Sequence, residues 1–128
     1  MKVENIKFKA KRLDGKGWVE GSLIRSTTGI KERAYIVDNF SSMSDYSVIG
    51  VDPSTVCQFT GLKDCEGKEI WEGDIVERVI YDLCKGSAKV KAVIEYLDGA
   101  FVAITDGIPY SLYFKYIKVV GNKFGKEE

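Results

Sequence analysis

Gln58-Phe59-Thr60-Gly61-Leu62-Lys63-Asp64-Cys65-Glu66-Gly67-Lys68-Glu69-Ile70-Trp71-Glu72-Gly73-Asp74-Ile75-Val76 breaks short extended runs with glycine-centred reversals. Gly61, Gly67 and Gly73 fall six residues apart, each beside charged residues. Glycine at such points supplies φ angles that a β-carbon forbids, so the three read as turn residues. Asp64 fits the start of a turn that ends at Gly67, with its carboxylate accepting backbone N–H groups. Glu72-Gly73-Asp74 makes a further reversal, after which the apolar pair Ile75-Val76 enters a core. The segment therefore predicts strands over Val56–Thr60, Lys68–Trp71 and Ile75–Tyr81, joined tightly.

Working outward, Ile6, Phe8 and Ala10 alternate with Lys7, Lys9 and Lys11, the period of a strand with one face on a core and one in water. Asp14-Gly15-Lys16-Gly17 is a turn, and Trp18–Ile24 returns as the second arm of a β-hairpin. Arg33–Val37 reads as a third strand. Asp38–Tyr46 is serine-rich and polar, and is expected to be a loop with at most one helical turn. Val48, Ile49 and Val51 form a short run that stops at Asp52-Pro53. Beyond the central segment, Lys89–Tyr96 alternates cleanly. Leu97-Asp98-Gly99 turns the chain, Ala100–Thr105 returns, Asp106-Gly107 turns again, and Leu112–Val120 is a final apolar-aromatic strand. Helical periodicity is absent. The expectation is a mainly β chain with little helix: an N-terminal β-rich region over 1–52, a second body over 53–122 and a frayed tail over 123–128.

At 128 residues the chain can bury a real core without disulfides or metal. The N-terminus has no signal-peptide pattern and no run approaches membrane-span length, so a cytoplasmic location is expected. The formal charge is zero but unevenly spread: residues 1–36 carry a net +5, residues 37–82 a net −7 and the remainder +2. This polarity suits self-association more than it suits a nucleic-acid module, which shows a stronger positive excess. Three cysteines, Cys57, Cys65 and Cys84, and no histidine point to free thiols and leave a tetrahedral zinc set incomplete. Without histidine no Ser/His or Cys/His pair can form, and Gly15-Lys16-Gly17 lacks the length of a phosphate loop. No catalytic residue, cofactor or metal is expected.

The segment Thr55–Val76 resembles the central motif of the YopX-like family of phage and prophage proteins, TVxQ(Y/F)TGLKDxxGKxI(Y/W)EGDIV. Ile6-Lys7-Phe8-Lys9-Ala10 resembles that family's opening strand, Ala92–Phe101 its hairpin, and Val119-Val120-Gly121-Asn122 its closing Val-Ile-Gly-Asn. Cys57 stands where glycine is usual, and the extended acidic tail of many relatives is missing after Asn122. The resemblance implies a C-terminal half built as a small SH3-type β-barrel over 53–122 and a phage or prophage setting in a bacterial host; the family has no established biochemical activity, so the resemblance supplies a setting rather than a mechanism. A barrel of this type serves nucleic acids, peptides and self-assembly alike, so the fold alone does not choose.

Three surfaces are candidates. Asp64, Glu66, Glu69, Glu72 and Asp74 could line an acidic edge, although carboxylates on turns are usually solvated and no twelve-residue calcium register is present. Lys7, Lys9, Lys11, Arg12 and Lys16, with Trp18 nearby, form a basic hairpin of the kind that binds single-stranded nucleic acid, though edge lysines also block sheet-to-sheet aggregation. Tyr110, Tyr113, Phe114 and Tyr116 offer an aromatic interface. The leading expectation is a non-catalytic interaction or assembly module that forms a homo-oligomer or meets an unknown host or phage protein. Nucleic-acid binding through the hairpin is the alternative.

Overall fold

The computed structural model describes residues 2–26, 31–42, 45–82, 84, 86–112 and 116–125, without the side chains of 39–42, 45 and 80–82. The chain forms two compact units, Met1–Phe59 and Thr60–Lys126. Among the described residues the only helical pieces are 3-10 turns at Val3–Asn5 and Pro53–Thr55. The chain is mainly β, with two antiparallel sheets.

The first unit is built from β1 (Phe8–Lys11), β2 (Trp18–Ser26), β3 (Arg33–Ser42), β4 (Asp45–Val51) and the start of β5 (Cys57–Lys63), in the order β4-β3-β2-β1-β5. β1 pairs with β2 in the register Ala10↔Val19, which sets the expected apolar row on one face. Ala10, Val19, Ala34, Ile36 and Val51 are buried there, flanked by Phe8, Leu23, Ile49 and Val56. Gly21 sits where β2 crosses β3 closely. A β-carbon at that point would lie 2.1 Å from the Val37 carbonyl oxygen, so only glycine permits the approach. Beyond β1, Arg12 makes an antiparallel bridge to Val51. Leu13 N–H donates to the Gly50 carbonyl (3.1 Å) and Asp52 N–H to the Lys11 carbonyl (2.9 Å). Asp52 then starts the 3-10 turn at Pro53–Thr55 by accepting from Ser54 N–H at 3.0 Å.

The serine-rich stretch is a correction. The expected loop Asp38–Tyr46 is strand wherever it is described, residues 43–44 lying outside the described residues: β3 runs to Ser42 and β4 begins at Asp45, paired through Asp38↔Ser47 and Ser42↔Asp45 with a register shift between them. Ladder bonds depend on backbone alone, so polar side chains do not prevent a hairpin whose core-facing residues lie further along.

The second unit carries the end of β5, β6 (Glu69–Trp71) and a five-stranded sheet. That sheet comprises β7 (Asp74–Asp82), β8 (Gly86–Leu97), β9 (Ala100–Thr105), β10 (Ile108–Ser111) and β11 (Ile117–Asn122), in the order β10-β9-β8-β7-β11. Its core is Ile70, Val76, Ala92, Ile94, Ala103, Ile117 and Val119, with Leu112 against it. Fully burying the larger of these side chains contributes about 1.5–3 kcal/mol each. Two expectations change here. The run Leu112–Val120 is not one strand, because β10 ends at Ser111 and β11 begins at Ile117. The sheet also does not close into a barrel: β10 and β11 are its two edges. Closure needs donors along both edges, and Pro109 in β10 has none.

Candidate functional site

The central motif is used as scaffold within the second unit. Asp64 is buried, and its Oδ1 accepts N–H bonds from Glu66 (2.9 Å) and Lys68 (2.8 Å). Its Oδ2 accepts the buried N–H of Val119 at 2.9 Å, 55 residues away. Gly67 N–H donates to the Asp64 carbonyl at 3.0 Å, with Gly67 at φ 81°, which is the turn expected from the sequence. Burial pushes the Asp64 carboxyl up, but the N–H groups of Val119, Lys68 and Glu66 outweigh it and hold it below the usual carboxylate range. Asp74 repeats the device: its Oδ2 accepts Trp71 N–H at 2.8 Å and its Oδ1 accepts from Asn122 Nδ2 at 3.1 Å. Gly73, at φ 86°, donates to the Ile94 carbonyl and accepts from Lys123 N–H.

Asp64 and Asp74 thus clasp the motif to β11, at Val119 and at Asn122. The two aspartates spend their oxygens on structure rather than on a ligand. Glu66 is exposed and reaches Lys118 at 3.3 Å, an ion pair that raises the Lys118 pKa. Glu69 and Glu72 are half-buried. The five carboxylates do not form one edge, and among the described residues no three His, Cys, Asp or Glu side chains gather as metal ligands do. Cys57 is buried while Cys65 and Cys84 are exposed.

The basic hairpin is largely engaged within its own unit. Lys7 pairs with Glu20 at 3.1 Å and lies 4.8 Å from the centroid of the Phe59 ring. Lys9 is 5% exposed, and its ammonium sits 5.2 Å over Trp18, with Lys11 at 5.9 Å from the same ring. Alternation places these lysines on the face away from the core, as expected. The aromatics on that face cover them, which alternation cannot show. Arg12 meets Asp14 at 2.7 Å, a bond that raises the arginine pKa; together with the Lys16 N–H it lowers that of Asp14. Lys16 itself is exposed at the turn.

Of the aromatic candidates, Tyr110 lies on β10 with its ring 3.9 Å from the guanidinium carbon of buried Arg78. Tyr116 is exposed just before β11, and Tyr113 and Phe114 lie outside the described residues.

A surface that the sequence reading did not single out lies on β4. Val48 and Tyr46, two residues apart on one strand, are 51% and 44% exposed. Val48 faces Val37 across the ladder, and Tyr35 faces Ile24, itself 46% exposed, so an apolar strip runs over β2, β3 and β4. The available signal was a run, Tyr46–Val51, with neither lysine nor proline to blunt it. No helix among the described residues is long and apolar enough to cross a membrane.

No curated protein matches the chain. The family model described as YopX protein matches residues 7–125, an interval that includes β1, the whole clasped motif and β11 with Asn122. The chain belongs to the YopX protein family.

Proposed function

We propose that the chain is a small non-catalytic interaction module, encoded by a phage or prophage and working in the cytoplasm of a bacterial host, that assembles with copies of itself. One observation carries this reading: the first unit presents the apolar strip of Ile24, Tyr35, Val37, Tyr46 and Val48 on the sheet face away from its core. Exposed apolar side chains grouped in this way mark contact surfaces. The phage origin draws on the resemblance of Thr55–Val76 to the YopX-like family of phage and prophage proteins. In the second unit, β7 to β10 form a meander and β11 returns beside β7. The non-catalytic reading is supported by the motif's buried aspartates, which serve backbone N–H groups.

Light scattering coupled to size-exclusion chromatography tests the reading. Molar mass should rise above that of one 14.3 kDa chain as concentration increases. A strict monomer at high concentration rejects it.

The second reading, nucleic-acid binding by the hairpin, draws on the convergence of Lys9 and Lys11 on Trp18. It predicts binding to single-stranded DNA or RNA that weakens steeply with salt. A flat titration at low salt removes it.

A further inference from the structure

We propose that a cavity above Gly50, within the first unit, binds an α-amino acid with an apolar side chain as its zwitterion. The cavity measures about 490 Å³, within the roughly 300–1,000 Å³ typical of small-molecule sites. It lies where β3 begins and β4 ends, and its lining joins apolar Leu13, Tyr35 and Pro53 to the charged pair Arg33 and Asp52. Lys31 and Glu32, one of each sign, extend the charged end.

The register of the ladder makes the cavity. Tyr35 pairs with Gly50, so the position facing the tyrosine carries no side chain. A β-carbon at Gly50 would meet only Leu13 Cδ1, at 3.5 Å, and Gly50 does not have the left-handed φ that demands glycine. What the glycine supplies is room between Tyr35 and Leu13. An apolar side chain seated there exchanges water for contact with Tyr35, Leu13 and Pro53.

The charges fix the rest of the ligand. Ala34 pairs with Val51 toward the core, so the next residues outward, Arg33 and Asp52, follow Tyr35 and Gly50 onto the cavity side. Asp52 continues the extended backbone, at φ −74° and ψ 115°. Its Oδ1 accepts from Ser54 N–H and Oγ, which leaves Oδ2 for an ammonium. Arg33 is exposed and makes no ion pair among the described residues, and its planar fork matches a carboxylate. A ligand with one charge answers only one of these two residues; a zwitterion answers both.

The test titrates L-phenylalanine into the isotope-labelled full chain at one fixed protein concentration and follows the Gly50 amide by NMR. That signal should shift and saturate in the millimolar range, whereas free glycine, which lacks an apolar side chain, should leave it unmoved. Phenylalaninamide lacks the carboxylate and N-acetylphenylalanine lacks the ammonium. Each should bind about tenfold or more weakly, as expected for the loss of one hydrogen bond between charged groups. Arg33→Gln should weaken phenylalanine by a similar factor. Gly50→Val fills the cavity and should abolish binding while the melting profile stays that of the parent. Both variants should keep the parent's molar mass in light scattering, so that lost binding does not reflect altered assembly. A Gly50 signal that phenylalanine leaves unmoved overturns the proposal, as does binding undiminished in Gly50→Val. Equal binding of phenylalanine and its amide assigns the cavity to the first residue of a peptide, and equal binding of the N-acetyl form to the last; either result overturns the free amino acid.

Discussion

Replacing Asp64 with alanine removes three backbone contacts at once, and their surroundings set the magnitude. The N–H groups of Glu66 and Lys68 are only partly buried, so water replaces much of what is lost, about 0.5–1 kcal/mol each. The Val119 N–H is buried and would be left without its acceptor, at about 2–3 kcal/mol. The expected loss is about 3–5 kcal/mol, a large share of the roughly 5–15 kcal/mol that holds a domain folded. Urea denaturation followed by circular dichroism at neutral pH reads this as a lowered midpoint with unchanged slope.

The pH dependence gives a second handle. The folded carboxyl titrates below its unfolded value, so its stabilisation is complete at pH above about 3.9 and is lost as pH falls through the folded pKa. The gap between parent and Asp64→Ala should be constant from pH 5 to 8 and shrink under strong acid. A loss below 1 kcal/mol at neutral pH, or a gap that changes near pH 7, would refute the clasp.

Gly21→Ala should unfold the first unit or cost it far more than Gly67→Ala. The former drives a β-carbon against the Val37 carbonyl, whereas Gly67 meets nothing within 4 Å and pays only for its positive φ, about 1 kcal/mol; thermal melts of the two variants should separate clearly. A double-mutant cycle on Asp74→Ala and Asn122→Ala should return a coupling of about 0.5–1.5 kcal/mol, and zero coupling would detach Asn122 from the motif. The same cycle on Lys7→Ala and Glu20→Ala should give less than 1 kcal/mol, diminishing with salt, because the carboxylate side is half exposed.

The parts of the fold legible in the sequence are those set locally. The turn at Asp64–Gly67 could be read because its bonds span two to four residues, and β1 because its alternation is strict. The clasp could not be read: the bond from Val119 to Asp64 joins residues 55 apart in the sequence. The β3–β4 hairpin was hidden by polar residues, which a ladder tolerates where no core is at stake. The final aromatic run looked continuous because nothing between Leu112 and Val120 breaks strand character, while Pro109 concealed an edge strand just before it. For the candidate surfaces, alternation gave the right face for Lys9 but not its burial under Trp18. Charge and aromatic content drew attention to the hairpin and to the chain's end. The strip on β4 depends on which edge of the sheet is left open, a property of topology.

Light scattering coupled to size-exclusion chromatography across a dilution series tests the account most directly, because the apolar strip that includes Ile24, Tyr46 and Val48 is exposed on a single chain. The molar mass should rise above that of one 14.3 kDa chain as protein concentration rises. A molar mass of one chain at every concentration would contradict self-assembly.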